Sequence, residues 1–492
     1  TTNDHTTYDL VVPSAQWKKA LEVEADMLWN PRLDEQDMKQ EIEAIHNETR
    51  FGLDNPDVIA GEKLFELGFE QHRIRRGSLA RDDALSNLSR TRLLEYFKTA
   101  YHPARIILVV AGDVSSSEVL NEVVRLFDVA KGAAPKLSPP PVEKSQSDFR
   151  YAQVRGGFPV PRILLGYHTA STASEDYPAL EVLNAILGLG RGSVLARRLK
   201  DQKKVILDGN SELLALPDEG YLTIRMDVDP DNIDRAELAA LTELELLKRE
   251  EPDASEMERA LAQLECQFWS GRDTVTKRAH ALARFESFAG WKRLDERISR
   301  LRKVQPEDVT RVAQKYLRTE NCSLLECLPA GAEPRNLNTE TARRTFQELL
   351  EPATVQEIAE REKEVVPAFD IPGSSSPFKF SEVRFPLQTA SVLRGPELYI
   401  REDHTLPLIH VGFFYAGGKL LEKKEIAGVT ALMLQSMLTG TRERAPEQLH
   451  RQLEIYGARF RPVVADDYCG FSLTILSKHI EKGLALLAEI IK

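Results

Sequence analysis

Residues 34–49 read D-E-Q-D-M-K-Q-E-I-E-A-I-H-N-E-T, and 219 positions later residues 253–268 read D-A-S-E-M-E-R-A-L-A-Q-L-E-C-Q-F without a gap. The apolar positions persist, Met38 on Met257, Ile42 on Leu261 and Ile45 on Leu264, whereas Glu41 faces Ala260 and Glu48 faces Gln267. A scaffold kept twice, with its carboxylates in one copy only, marks the chain as built from repeats and those acids as candidates for chemistry. The first copy predicts an amphipathic helix. Asp34 is its expected N-cap, and Met38, Ile42, Ile45 and Thr49 recur at spacings of 4, 3 and 4, the buried stripe of such a helix. At about 100° per residue, Glu41 and Glu48 fall within roughly 20° of each other, their backbones about 10 Å apart. That spacing lets one carboxylate bind a metal while the other acts on it indirectly. His46 projects about 150° away and is a poor partner for Glu48 in a metal site. The bland alternative is two solvated helix glutamates, and their loss from the second copy weighs against it.

A second repeat reaches further. Residues 3–26 align with residues 466–489 at a displacement of 463, placing Asp4 on Asp467, Tyr8 on Phe471, Leu10 on Leu473, Ser14 on Ser477 and Leu21 on Leu484. The last hundred or so residues therefore begin a second large half. Both ends are expected to be cuts in a polypeptide of about 900 to 1,000 residues.

These offsets organise the chain. Residues 1–135 are expected to form the C-terminal part of a first domain: a strand over 5–12, a helix from Ser14 and two more after it, a helix over 90–101, a strand over 105–112 and a helix from Ser116. A proline-rich run over 134–141 leads into a second domain, 136–330, whose helix-then-strand close echoes the first. Residues 331–380, with P-G-S-S-S at 372–376, read as a linker between halves, and residues 381–492 as the N-terminal part of a third domain ending in a helix from Glu481.

Composition narrows the function classes. With 492 residues, 42% hydrophobic and 29% charged, the chain suits two to four globular domains. A net charge of −11 argues against nucleic acid as the main partner. No apolar run is long enough to be expected to span a membrane. The four cysteines, Cys266, Cys322, Cys327 and Cys469, form no C-x-x-C pair, so neither a disulfide framework nor a cysteine zinc site is indicated. They leave the compartment open, with the bacterial periplasm as the first expectation. The G-L-G-R-G run over 188–192 follows a helical pattern rather than a strand, which argues against a dinucleotide site.

Three runs carry a resemblance: N-D-H-T-T-Y-D-L-V-V-P from residue 3, A-D-M-L-W-N-P-R-L-D-E-Q-D-M-K-Q-E-I-E-A-I-H-N-E from residue 25, and Y-H-P-A-R-I-I-L-V-V-A-G-D-V from residue 101. Together they resemble the pitrilysin and insulinase type of zinc metallopeptidase, related to the mitochondrial processing peptidases. The resemblance implies an α+β fold of repeated domains, each a mainly antiparallel sheet packed on helices, assembled as a clamshell of two halves. It implies a Zn²⁺ cofactor held by an H-x-x-E-H motif and by a glutamate roughly 75 residues further on. Glu48 matches that third ligand and Glu41 the accompanying acid. No H-x-x-E-H or H-E-x-x-H occurs among the ten histidines. In the second half, Ala431, Leu434 and Gln435 stand at the motif's His, Glu and His positions, a degenerate copy. Carried back by 463, the intact motif would lie ahead of Thr1, its last histidine 76 positions before Glu48. Gly188, Gly190 and Gly192 resemble the family's glycine-rich segment and are candidate substrate contacts. The resemblance implies peptides or unfolded segments as substrates, enclosed with the other half of the same polypeptide. A non-catalytic scaffold or processing partner on the same fold is the alternative. These 492 residues alone are expected to be inactive.

Overall fold

The computed structural model describes residues 1–2, 4–77, 85, 87–128, 141–349, 387–391 and 397–491. The chain divides into two compact units, Thr1–Met257 with Thr274–Val355, and Glu258–Asp273 with Gln356–Lys492. Most of the proline-rich run at 134–141 and the P-G-S-S-S run lie outside the described residues. The described part of the expected 331–380 linker includes a helix, Thr339–Leu349.

Among the described residues the first unit opens with five helices: α1 (Trp17–Trp29), α2 (Glu35–Leu53), α3 (Pro56–Gly68), α4 (Arg90–Ala100) and α5 (Ser116–Phe127). The first expected helix begins as a 3₁₀ turn, Ser14–Gln16, before α1. The two expected strands are absent. No strand forms over 5–12 or 105–112. The reason is pairing: a strand needs a ladder neighbour, and β-propensity alone does not supply one. The aligned segment in the second unit shows the contrast. Phe471 lies in a strand with neighbours on both sides and is 1% exposed, whereas its counterpart Tyr8 is 49% exposed.

A five-stranded sheet follows, from β1 (Arg150–Gly156), β2 (Arg162–Thr169), β3 (Asp208–Ala215), β4 (Gly220–Asp227) and β5 (Cys322–Pro329). Its order is β1-β5-β2-β4-β3. β1 and β5 run parallel and the other pairs antiparallel, with Leu165 opposite Ile224 and Leu324. β2 is buried at every position, as suits a central strand: Ile163–Tyr167 is apolar, and the buried Arg162 and His168 at its ends are hydrogen-bonded. Pro217 and Asp218 turn the β3–β4 hairpin, closed by Leu216 N–H donating to the Glu219 carbonyl at 2.8 Å.

Helices α6 (Tyr177–Gly188), α7 (Ile233–Arg249), α8 (Ala254–Ser270), α9 (Val275–Phe288), α10 (Lys292–Leu301) and α11 (Pro306–Tyr316) complete the second repeat, with Thr339–Leu349 as α12. The 219-residue offset holds for helix starts as well as for sequence: α2 and α8 begin at 35 and 254, α3 and α9 at 56 and 275. Both capping carboxylates act alike. Asp34 accepts from Asp37 N–H at 3.0 Å, and Asp253 from Glu256 N–H at 2.8 Å.

Tyr221 of β4 holds α3 to the sheet. Its ring is 1% exposed, and a Cβ built on Gly166 or Gly68 would lie 2.1 or 2.3 Å from its hydroxyl oxygen. Only glycine leaves that space. At the other end of α3, Arg162 of β2 pairs with Asp57 and with Asp227, Nε to Oδ1 at 2.6 Å.

The second unit contains the hairpin β6 (Leu387–Ser391) and β7 (Glu397–Arg401), and an antiparallel sheet of β8 (Leu408–Ala416), β9 (Arg459–Val464) and β10 (Tyr468–Leu476) in the order β8-β10-β9. Helices α13 (Val429–Ser436), α14 (Pro446–Ile455) and α15 (Ile480–Ile491) supply its core with Leu434, Leu449, Leu453, Leu486 and Ile490 against Phe471 and Ile475. No described helix is long and apolar enough to cross a membrane.

Asp176, just before α6, offers a direct stability test. Burial pushes its carboxyl up, but hydrogen bonds from Lys315 at 2.7 Å, Arg311 at 2.6 Å and Tyr316 at 2.8 Å outweigh that and hold it at about 2. A lowered folded value stabilises above the ordinary 3.8 and is lost as pH falls towards about 2. Asp176→Asn should cost about 2 kcal/mol near neutrality and remove this part of the acid dependence, read by urea unfolding across that range.

Candidate active site

The sequence places its candidate acids on α2, and the structure confirms the helix beneath them. The Asp34 cap fixes its start, and Arg50 N-terminal to the Asp54 cap lies in its last turn. Met38, Ile42 and Ile45 are half-buried and Thr49 is buried, so the expected stripe faces inward. Glu41 and Glu48 are both exposed. The two carboxylates flank a packed face and open to solvent, where they could accept hydrogen bonds from a peptide or a water, or bind a cation.

The second copy gives the asymmetry a packing component. Ala260, opposite Glu41 in the alignment, is 0% exposed, whereas Gln267, opposite Glu48, is exposed. A carboxylate at 260 would be buried, at a cost of several kcal/mol or of its charge. Loss of the acid at this position is therefore what the packing of α8 demands. The exchange at 48 and 267 has no such explanation.

Among the described residues, no group of three or more His, Cys, Asp or Glu is placed to hold a metal ion. Glu48 offers carboxylate oxygens, and zinc in a hydrolytic site takes three protein ligands. The donor set present here does not by itself fit a catalytic zinc.

Ala431, Leu434 and Gln435 lie on α13. Leu434 is buried at 1% in the core of its unit, while Ala431 and Gln435 are exposed. At the position that the sequence reading gave to a motif's base, this helix has a packing residue. The glycine-rich segment forms the turn after α6. Gly188 is held by packing, since a Cβ there would stand 2.1 Å from the Ser211 backbone nitrogen. Gly190 has φ +84°, a conformation that side chains disfavour, and its carbonyl accepts from Ser193 Oγ at 2.8 Å. Gly190 is exposed and Gly192 half-buried, and a π-helix, Leu195–Gln202, follows.

One cleft lies beside the α1 and α4 helices. It measures about 210 Å³ and is lined by Tyr8, Met27, Leu93, Phe97 and Tyr101 with Glu24 as its acid. Burial pushes the Glu24 carboxyl up, helped by the Asp9 charge. Tyr8 and Tyr101 hydroxyls meet at 2.7 Å, and burial raises the Tyr101 phenol. Sequence reading missed this grouping because Tyr8 and Tyr101 stand 93 residues apart with no shared spacing signal.

Fold and site together define an α+β chain of repeated sheet-and-helix domains, with a pair of acids on one helix of the first repeat. The family model described as Peptidase M16 inactive domain matches residues 87–264, and that described as Insulinase (Peptidase family M16) matches residues 399–492. The two cover more than half of the chain, which belongs to the M16, pitrilysin and insulinase type, peptidase family. It is 25% identical to an uncharacterized zinc protease, YmxG, of Bacillus subtilis over 68% of this chain and 81% of that protein. The crystal structure of a protease from Helicobacter pylori superposes with a TM-score of 0.61 at 22% identity, covering 65% of this chain and 78% of that one. The periplasmic protease PqqL from Escherichia coli covers 98% of this chain and 55% of its own length, with a TM-score of 0.53 at 14% identity. At these identities the solved structures show the fold.

The packing contrast between the two copies can be measured. Ala260→Glu should cost about 3 kcal/mol or more, since it buries a carboxylate, while Glu41→Ala at an exposed position should change stability by less than about 0.5 kcal/mol. Chemical unfolding of both variants checks this.

Proposed function

We propose that this chain belongs to a zinc endopeptidase acting on peptides or unfolded segments, with Glu48 the third zinc ligand and Glu41 an acid acting on the site indirectly. The observation that carries the reading is the placement of both carboxylates on the solvent flank of a capped, inward-packed helix in an M16-family chain. The relatives named as zinc proteases support it.

Zinc, when bound, would polarise a water for attack on a peptide carbonyl. The residues described here supply one ligand of the set and no step is routed through it. What this chain does is position. The Asp34 cap and the Met38, Ile42, Ile45 stripe fix the rotation of α2 about its axis, and with it the direction in which Glu48 leaves the helix. Gly190, exposed and in the left-handed region, offers backbone that a peptide could meet. A bound peptide would be held by strand addition to a sheet edge.

The test uses the full-length polypeptide, with zinc content and peptide hydrolysis measured together. Glu48→Gln should lose both, because a neutral amide replaces an anionic ligand. Glu41→Gln should weaken metal affinity or turnover by about 10- to 100-fold while retaining a site that fills at high zinc. Full zinc and normal turnover in Glu48→Gln would overturn the assignment. An unaltered polypeptide that binds no zinc and cleaves no peptide would put the scaffold reading in its place.

A further inference from the structure

The C-terminal end of α3 is held by two side chains from the second repeat. Arg150 Nη1 donates to the carbonyls of Leu67 at 3.1 Å and Gly68 at 2.6 Å, and His168 Nε2 meets the Gly68 carbonyl at 2.8 Å. A carbonyl oxygen only accepts, so His168 Nε2 carries a proton. Its other nitrogen, Nδ1, faces Glu219 Oε1 at 3.4 Å, another group that only accepts when ionised. In the neutral ring, that nitrogen would present a lone pair to a carboxylate. With both nitrogens protonated, the ring donates to both neighbours and places a positive charge at a helix C-terminus, where the dipole favours it.

The nearby histidine is wired differently. His72 Nδ1 accepts from Ile74 N–H at 3.3 Å, which requires that nitrogen to be unprotonated. Its Nε2 is 3.5 Å from Asp218 Oδ2. The two imidazoles, both buried, thus differ in their fit to the cationic state.

We propose that His168 is a proton-operated clasp between the repeats, closed on the end of α3 when both ring nitrogens carry protons and loosened when Nδ1 loses its proton. The charges around it are set by every element packed against it. Glu219 and Asp218 come from the β3–β4 turn, with Asp218 also paired to Arg73 at 2.9 Å. Arg150 of β1 adds positive charge and is paired with Glu70 at 2.7 Å. Glu143 accepts from the backbone N–H groups of Glu70, Gln71 and His72 at 2.7 to 2.9 Å. Burial raises its carboxyl, but those three bonds outweigh it and keep it lowered, so its negative charge persists near the ring. Phe69, with its ring 4.6 Å from His168, and Tyr221, at 5.3 Å, exclude water from the clasp. The doubly protonated ring holds both the Gly68 carbonyl and the Glu219 carboxylate, whereas the neutral ring donates to one of them, so protection of the α3 end is greater at the lower pH.

Because α3 packs on α2, the clasp bears on how firmly the helix carrying Glu48 is held. It stands independently of the peptidase reading.

Amide hydrogen exchange of the whole chain, corrected for the intrinsic pH dependence of exchange, tests it at about pH 6 and pH 8. Residues 66–77 should lose about five-fold in protection on going to the higher pH, the scale of a charged group at a helix end. In His168→Gln, which donates to Gly68 but takes up no proton, that pH dependence should vanish. Glu219→Gln should reduce it without touching the helix itself, and serves if the first variant fails to fold. Protection that does not change with pH in the unaltered chain, or that changes equally in both variants, would overturn the proposal.

Discussion

The fit of Tyr221 between Gly68 and Gly166 is the constraint on which the first unit depends. One glycine ends a helix of the first repeat and the other lies in the central strand of the second. The phenol ring fills the space that neither residue occupies, bringing the end of α3 against the sheet. Once that approach is fixed, Phe69 lands among Phe65, Tyr221 and His168, the carbonyls of α3 come within reach of Arg150, and Glu143 can gather the amides of the following turn. A methyl group at either glycine would force the ring out of a close-packed core, where displacement of that kind usually costs about 1 to 3 kcal/mol.

The repeat architecture explains why one frame supports two different surfaces. Helices α2 and α8 start from equivalent aspartates and use the same first-turn hydrogen bond. Their flanks then diverge. Ala260 is packed and could not be an acid, while the equivalent flank of α2 is open and carries one. Similarly, α13, the helix that the sequence reading matched to a degenerate motif, turns Leu434 into its core. In both cases the backbone plan is retained and the solvent-facing chemistry is set by what packs against each copy.

Local signals carried a large part of this into the sequence. The cap at Asp34, the 4-3-4 stripe and the 219-residue register were legible because each rests on spacing within one helix or on comparison between copies. The strands expected over 5–12 and 105–112 failed because alternation reports the tendency to be half-buried, whereas a ladder needs a neighbour that alternation cannot name. The reading of Glu41 as an acid the fold could spare missed that its counterpart position is enclosed. The Arg150, His168 and Glu219 grouping left no trace either. Its members come from a strand, another strand and a hairpin turn, brought together by sheet order β1-β5-β2-β4-β3, which the sequence did not specify.

The central claim is that the exposed flank of α2 belongs to a metal site. Diffraction at the zinc edge, from crystals of the full-length polypeptide grown with zinc, tests it most directly. The account predicts an anomalous peak about 2.0 to 2.2 Å from a carboxylate oxygen of Glu48. A zinc peak bound elsewhere, with Glu48 out of reach and the crystals active after dissolution, would contradict it.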